Sequence, residues 1–365
     1  EIYHHYFTNL WRQKNHILPK SEEEILAQTG QIIDAPHSIY GMLNNADLVF
    51  PEIVDENGKK VRITHGRFVP LMQSRDRRVR KDAFEGLYGT YDSVKHTTTA
   101  LLSAQVNANI FQARVRKYNS AQESALAKNN IPISVYDSLI EAVNSKLPAM
   151  YRYVNLRKKM LGLSEIHMYD VYVPIVDEVE MIYSFEESKE IVKKALQPLG
   201  EVYVKNLSHG LDNGWCDVYE NKGKRSGAYS CGVYGVHPFV LLNHQDTLDS
   251  LFTIAHEMGH AMHSYYTDTN QPYIYSDYSI FVAEVASTVN EALLMNYLLD
   301  KVQDKKQRMY LLNHYLEEFK GTVFRQTMFA EFEKMTHETV EEGEALTLDL
   351  MTDMYMKLNE AYFGA

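Results

Sequence analysis

Two histidines four residues apart, with a glutamate beside the first, are the side chains in this sequence best suited to chemistry. They lie in Ile254-Ala255-His256-Glu257-Met258-Gly259-His260-Ala261-Met262-His263. If this stretch is helical, His256 and His260 sit one turn apart on one face and can bind a single Zn2+, while Glu257, about 100° round the helix, reaches a water on that metal.

The elements that must position these residues can be read from the surrounding pattern. Leu251, Ala255, Met258 and Met262 follow a buried helical stripe, and His256, His260 and His263 form a separate polar line. Asp246-Thr247-Leu248-Asp249 supplies an N-terminal cap with an acid in the first turn, so one helix is expected from about Thr247 to Tyr265. Downstream, Tyr278 to Leu294 reads as a buried helix whose polar residues Glu284, Ser287, Thr288 and Glu291 make one narrow stripe. A carboxylate in apolar surroundings needs a cation, which makes Glu284 the natural third ligand of a His2Glu site with its fourth position open to water. Glu291 is placed to hold one of the imidazoles in its tautomer, and His263 is grouped with it as a supporting residue. The plain alternative pairs Glu284 with an Arg or Lys.

Three further stretches accompany this pair. Gly-Lys-Arg-Ser-Gly-Ala-Tyr-Ser at 223–230, Arg-Gln-Thr-Met-Phe-Ala-Glu-Phe-Glu at 325–333 and Ser-Arg-Asp-Arg-Arg-Val-Arg at 74–80 join His-Glu-Met-Gly-His-Ala-Met-His at 256–263 and Phe-Val-Ala-Glu-Val-Ala-Ser-Thr-Val-Asn-Glu at 281–291. Together, in this order, they resemble the oligoendopeptidase F group of the thimet-oligopeptidase-like zinc metallopeptidases, over essentially the whole chain. The resemblance implies a mainly α, multi-helix fold with a deep cleft and a small antiparallel sheet before the zinc-binding helix. It also implies one Zn2+ per chain and hydrolysis of internal bonds in short oligopeptides, with Glu257 as general base. Relatives of that kind carry more helical chain before the first residue, and a His- and Tyr-bearing segment after the last that binds the substrate carbonyl. The sequence is therefore expected to be a central portion of a longer protein, with residues 1–65 part of an N-terminal helical region and 66–365 an incomplete catalytic region. Tyr273, Tyr275 and Tyr278 are internal candidates for an oxyanion donor.

Composition bounds the alternatives. A chain of 365 residues, 45% hydrophobic, fills a sizeable core, and its net charge of −11 argues against a nucleic-acid partner. No apolar run is long enough to span a membrane. Cys216 and Cys231 form no Cys-x-x-Cys pair and build no disulfide framework, which fits a reducing cytoplasm. Oligomeric state is not encoded in any feature of the sequence. Glu257-Met258-Gly259-His260 also reads as the Glu-x-x-His of a di-iron bundle, a rival that needs a second such pair on a buried helix. A non-catalytic helical peptide-binding protein with a structural metal site is the remaining rival, and Glu257, which is no ligand, weighs against it.

Along the chain, Ser21 is expected to cap a helix through Glu24, and Asp55-Glu56-Asn57-Gly58 to turn a hairpin. Arg75 to Lys81 reads as the solvated first turn of a helix. Helices are expected at 94–115, at 135–160 with Ser134 as cap, from Ser184 to about Pro198, and at 293–303, 307–333 and 347–362. Tyr169 to Pro174 is short, aromatic and β-branched, as a strand would be, and strands are expected between Val202 and Asn243. Gly227-Ala228-Tyr229-Ser230-Cys231-Gly232-Val233-Tyr234-Gly235 lacks the ending of a phosphate loop. It reads equally as a bulged hairpin or as an edge strand that pairs with an extended peptide. The resemblance favours the second, assigning Ala228, Tyr229, Gly232 and Gly235 to substrate binding.

Overall fold

The computed structural model describes residues 1–177, 179 and 181–364. After several short helices and the hairpin β1 (Glu52–Val54) and β2 (Lys60–Arg62), the chain forms α1 (Arg77–Asp92), α2 (Lys95–Val115), α3 (Ile133–Asn144) and α4 (Leu147–Met160). There follow α5 (Phe185–Ala195), α6 (Glu201–Asp212), the strands β3 (Cys216–Asp217), β4 (Tyr229–Cys231) and β5 (Phe239–Leu241), and then α7 (Leu248–Asn270) and α8 (Ile280–Lys301). The last helices are α9 (Lys305–Glu318), α10 (Arg325–Glu341) and α11 (Leu348–Phe363). The protein is mainly helical, as expected, and divides into two compact units.

One unit comprises residues 1–8 and 176–315 and holds α5 to α8 with the three-stranded sheet. Strand order is β3–β5–β4: β4 lies antiparallel to β5 with Ser230 opposite Val240, and β3 adds in parallel on the other side. Helix α7 is the spine of this unit. Its Leu251, Ala255, Met258 and Met262 are fully buried, as the stripe requires, among Leu196, Leu207, Val240, Leu242 and Leu294. Thr247 caps it by accepting from Ser250 N at 3.1 Å, and the helix continues five residues past the expected Tyr265. At α5 both bonds of a capping box form, Glu187 N to Ser184 Oγ at 3.3 Å and Ser184 N to Glu187 Oε2 at 3.0 Å. The region from Val202 is not all strand: residues 201–212 are α6, whose Leu207 and Leu211 face the core.

The other unit comprises residues 9–175 and 316–365 and holds β1, β2, α1 to α4, α10 and α11. The hairpin forms at Asp55–Gly58 with Gly58 at φ 78°, a conformation open to glycine. Other expectations for this unit are corrected. Lys20–Gln28 begins after Pro19 with no side-chain cap, so Ser21 caps nothing, and the segment 135–160 breaks at Ser145-Lys146 into α3 and α4. Ser134 likewise gives way to Pro132 at the α3 start. The basic run does open α1, with Arg78 and Lys81 exposed, but it is not solvated throughout: Arg80 is buried and, with Arg77, clamps the fully buried Asp170 through contacts of 2.8 and 2.7 Å.

Tyr169–Pro174 is no strand either, because its carbonyls are taken by side chains. Arg80 donates to Tyr169 O at 3.2 Å, Arg157 to Asp170 O at 3.2 Å and to Val173 O at 2.5 Å, and Lys320 to Val171 O at 2.7 Å. With those acceptors satisfied, the segment has no use for a neighbouring strand. Lys320 lies in a π-helical turn, residues 319–324, that interrupts the expected 307–333 helix between α9 and α10. Its ammonium pairs with Glu317, which Arg157 also reaches at 2.6 Å and to which Tyr153 donates its hydroxyl proton. Burial pushes the Lys320 amine down to about 8, against the pull of Glu317.

Candidate metal centre

Three side chains converge where α7 passes α8. His256 Nε2 and His260 Nε2 stand 3.2 Å apart, and Glu284 Oε2 lies 3.4 Å from each. Two unprotonated imidazole nitrogens and a carboxylate oxygen at such range repel one another unless a cation or a shared proton lies among them. In a tetrahedral zinc site with bonds of about 2.0–2.1 Å, neighbouring donors stand roughly 3.3–3.4 Å apart. The donor set and its spacing therefore fit Zn2+, with three protein ligands and one open position.

The two helices can approach this closely because of Gly259. A Cβ there would fall 2.7 Å from Ser287 Cα and 2.8 Å from Ala286 O, so a side chain at this position would meet backbone. Asn290, buried on α8, fixes the crossing by donating from Nδ2 to Ala255 O at 3.0 Å while accepting from Tyr203 at 3.1 Å. Neither Gly259 nor Asn290 stood out in the sequence. Asn290 stands one position before Glu291, the last residue of the polar stripe, and only the contact with α7 reveals its use.

Around the three donors the remaining residues take distinct places. Glu291 Oε1 lies 3.2 Å from His256 Nδ1, which sets the proton on Nδ1 and leaves the Nε2 lone pair facing the other donors. That contact is the main reason the His256 pKa is raised, with burial opposing it. Burial lowers the pKa of His260. Glu257 is buried, its Oε2 has no hydrogen-bond partner among the described residues, and burial pushes its carboxyl above the usual glutamate range, with His256 opposing. His263 is not among the converging donors. Its ring stacks on Tyr278 at 3.6 Å, and Tyr278 Oη lies 3.3 Å from Ser264 Oγ.

One premise of the sequence reading is corrected. The first half of α8 is not buried: Ile280, Phe281 and Val285 are 82%, 59% and 57% exposed, and the Glu284 side chain is 65% exposed. The ligand geometry thus rests on the hydrogen bonds and the helix crossing rather than on enclosure. Beside it, Val282, Val285, Val289, Met262 and Tyr266 line an apolar groove.

Of the four residues expected to bind substrate, Tyr229 is in the edge strand β4 of the same unit, Ala228 and Gly232 flank that strand, and Gly235 lies in the turn beyond it. Tyr229 lies on β4, the outer strand, and is half exposed; Ala228 packs against the core that holds α7. Gly232 abuts α7, since a Cβ there would lie 2.8 Å from Ser264 Cβ, and Gly235 turns the chain at φ 85°.

The sequence pattern of peptidase family M3 matches residues 70–365, and that of oligopeptidase F matches residues 1–50. The chain belongs to peptidase family M3. This M3 sequence is 50% identical to oligopeptidase PepF of Bacillus subtilis, over 100% of the chain and 54% of that protein. It is 47% identical to group B oligopeptidase PepB of Streptococcus agalactiae, over 99% of the chain and 60% of that protein. Among solved structures, oligoendopeptidase-F from Enterococcus faecium superposes with a TM-score of 0.79 at 40% identity, covering 100% of the chain and 59% of that structure. The M3 chain thus spans 54% to 60% of the length of these relatives. Among the described residues no helix is long and apolar enough to cross a membrane.

Proposed function

We propose that this protein is a zinc-dependent endopeptidase that hydrolyses internal bonds of short peptides. The observation that carries the reading is the triangle of His256 Nε2, His260 Nε2 and Glu284 Oε2, at 3.2–3.4 Å, where α8 crosses α7, the helix that also bears Glu257, whose Oε2 has no hydrogen-bond partner among the described residues. His256, His260 and Glu284 hold the metal. A zinc ion bound there supplies a Lewis acid that lowers the pKa of water toward about 7 and polarises a carbonyl. Glu257 accepts the proton of the attacking water and delivers it to the departing amine. Its buried setting suits that exchange, because desolvation raises its proton affinity. Glu291 keeps the His256 ring in the tautomer that ligation needs.

An extended peptide pairs with the outer edge of β4, where Ala228, Tyr229, Gly232 and Gly235 meet it, as strands are commonly added to an open sheet edge. The names of the relatives, oligopeptidase PepF and oligoendopeptidase-F, support short peptides as the substrate class. Two unpaired cysteines, Cys216 and Cys231, agree with a cytoplasmic setting.

The test is zinc content together with hydrolysis of an internally quenched peptide blocked at both ends, before chelation, after chelation and after zinc return. About one zinc per chain, with cleavage lost and restored, is expected of the whole protein. Zinc without cleavage would favour the metal-bearing peptide-binding alternative, and iron in its place would remove the zinc reading.

A further inference from the structure

Ser287 on helix α8 is a buried polar group that the proposed chemistry leaves unused. Ser287 is fully buried at the crossing with α7, and its Oγ lies 2.7 Å from Glu284 Oε2 and 3.0 Å from Glu284 O. A serine in a helix ordinarily donates back to a carbonyl three or four residues earlier. Here the shorter contact is to the carboxylate, and hydrogen bonds to an ionised acceptor are the stronger ones. The oxygen concerned is the one that faces both imidazoles, since Oε2 is 3.4 Å from each Nε2.

We propose that Ser287 is a positioning residue for the metal site, donating its hydroxyl proton to Glu284 Oε2 and so fixing which oxygen faces His256 and His260, and where. The inference rests on Glu284 being the third ligand. A glutamate that is 65% exposed is free to rotate into solvent, and withdrawing it leaves two donors of three. The buried serine cannot follow it: Ser287 Cα is held against Gly259, where a Cβ would approach to 2.7 Å. One lone pair of Oε2 takes the serine proton and the other stays directed at the imidazoles. The same hydroxyl gives α8 a counterpart to what Glu291 does for His256, so a carboxylate and an imidazole are each held from behind by a group on one helix.

Zinc affinity of the purified protein, read by competition with a chromogenic chelator, tests this without reference to turnover. The Co2+-substituted protein adds an absorption spectrum that reports the ligand set. Ser287→Ala and Ser287→Gly both remove the donor while differing in volume, and either should weaken zinc binding by about ten- to a hundredfold, as loss of a group behind a ligand commonly does. Both should alter the Co2+ spectrum, and the glycine variant carries the test if the alanine variant does not fold. Affinity within twofold of the parent and an unchanged spectrum would overturn the proposal, as would losses that follow the thermal stability of the metal-free proteins rather than the missing hydroxyl. Glu284→Ala in the same assay separates the two readings. If it binds zinc as the parent does, the ligand assignment fails; if it loses zinc while both Ser287 variants keep it, only the role of Ser287 fails.

Discussion

Glu257 and Glu291 separate two ways in which a carboxylate serves such a site. Replacing Glu257 by Gln keeps the size and removes the base, so zinc content should stay near that of the parent while peptide hydrolysis falls by about 10²–10⁴-fold, the range that positioned proton transfer contributes. Steady-state rates at matched zinc occupancy check this, and unchanged turnover would take Glu257 out of the reaction. Glu291→Ala removes the partner of His256 Nδ1, 3.2 Å away, and leaves the ring free to choose its tautomer. Metal affinity should drop by about ten- to a hundredfold, and an isotherm matching the parent would return Glu291 to a packing role. Residue types and spacing carried much of this: His256, His260 and Glu284 could be singled out because few polar residues interrupt their helices. Asn290 and Ser287 could not be given roles, since both act through a partner on the same or the facing helix that only the folded chain defines.

The crossing of α7 and α8 turns on Gly259. Gly259→Ala would set a methyl 2.7 Å from Ser287 Cα, and an overpacked contact of this kind costs about 1–3 kcal/mol. Thermal unfolding should shift down and zinc affinity should fall with it, because separating the helices moves Glu284 from the imidazoles; an unshifted melting curve would show that the crossing yields. The course of α7 was legible because its stripe and its cap agree, Leu251, Ala255, Met258 and Met262 being buried and Thr247 capping as read. Where the reading failed, the cause was distance along the chain. The basic run that opens α1 gives no sign that its partner is Asp170, ninety-three positions on from Arg77. The Tyr169–Pro174 segment looks like a strand until Arg157 and Lys320 claim its carbonyls. The π-turn at 319–324 has the composition of the helix it interrupts, and apolar residues on α8 say nothing of which of them are covered.

Across the molecule the buried ions bear on acid stability. Burial raises the proton affinity of Asp170, but Arg77, Arg80 and His167 N reverse that and hold it below the usual aspartate range. A carboxyl lowered on folding contributes stability that is present above its unfolded pKa of about 3.9 and is lost as pH falls through the folded value. Asp170→Asn should therefore cost about 3–5 kcal/mol at neutral pH, the usual loss on breaking a buried pair. The gap to the parent should narrow below about pH 4. Urea unfolding at pH 7 and pH 3 checks this; a gap that stays constant would mean that the pair is not ionised as drawn. In the other unit, the donors His256 and His260 belong to α7 and Glu284 to α8, with residues 271–279 between the helices. A metal gripped by both is a reversible cross-link, and its binding energy becomes a clamp on local opening. At a free concentration a thousandfold above its dissociation constant it would add about 4.1 kcal/mol against any opening that parts the pair. Amide protons along α7 and α8 should then exchange with deuterated solvent more slowly and in step, a shared rhythm that chelation would dissolve.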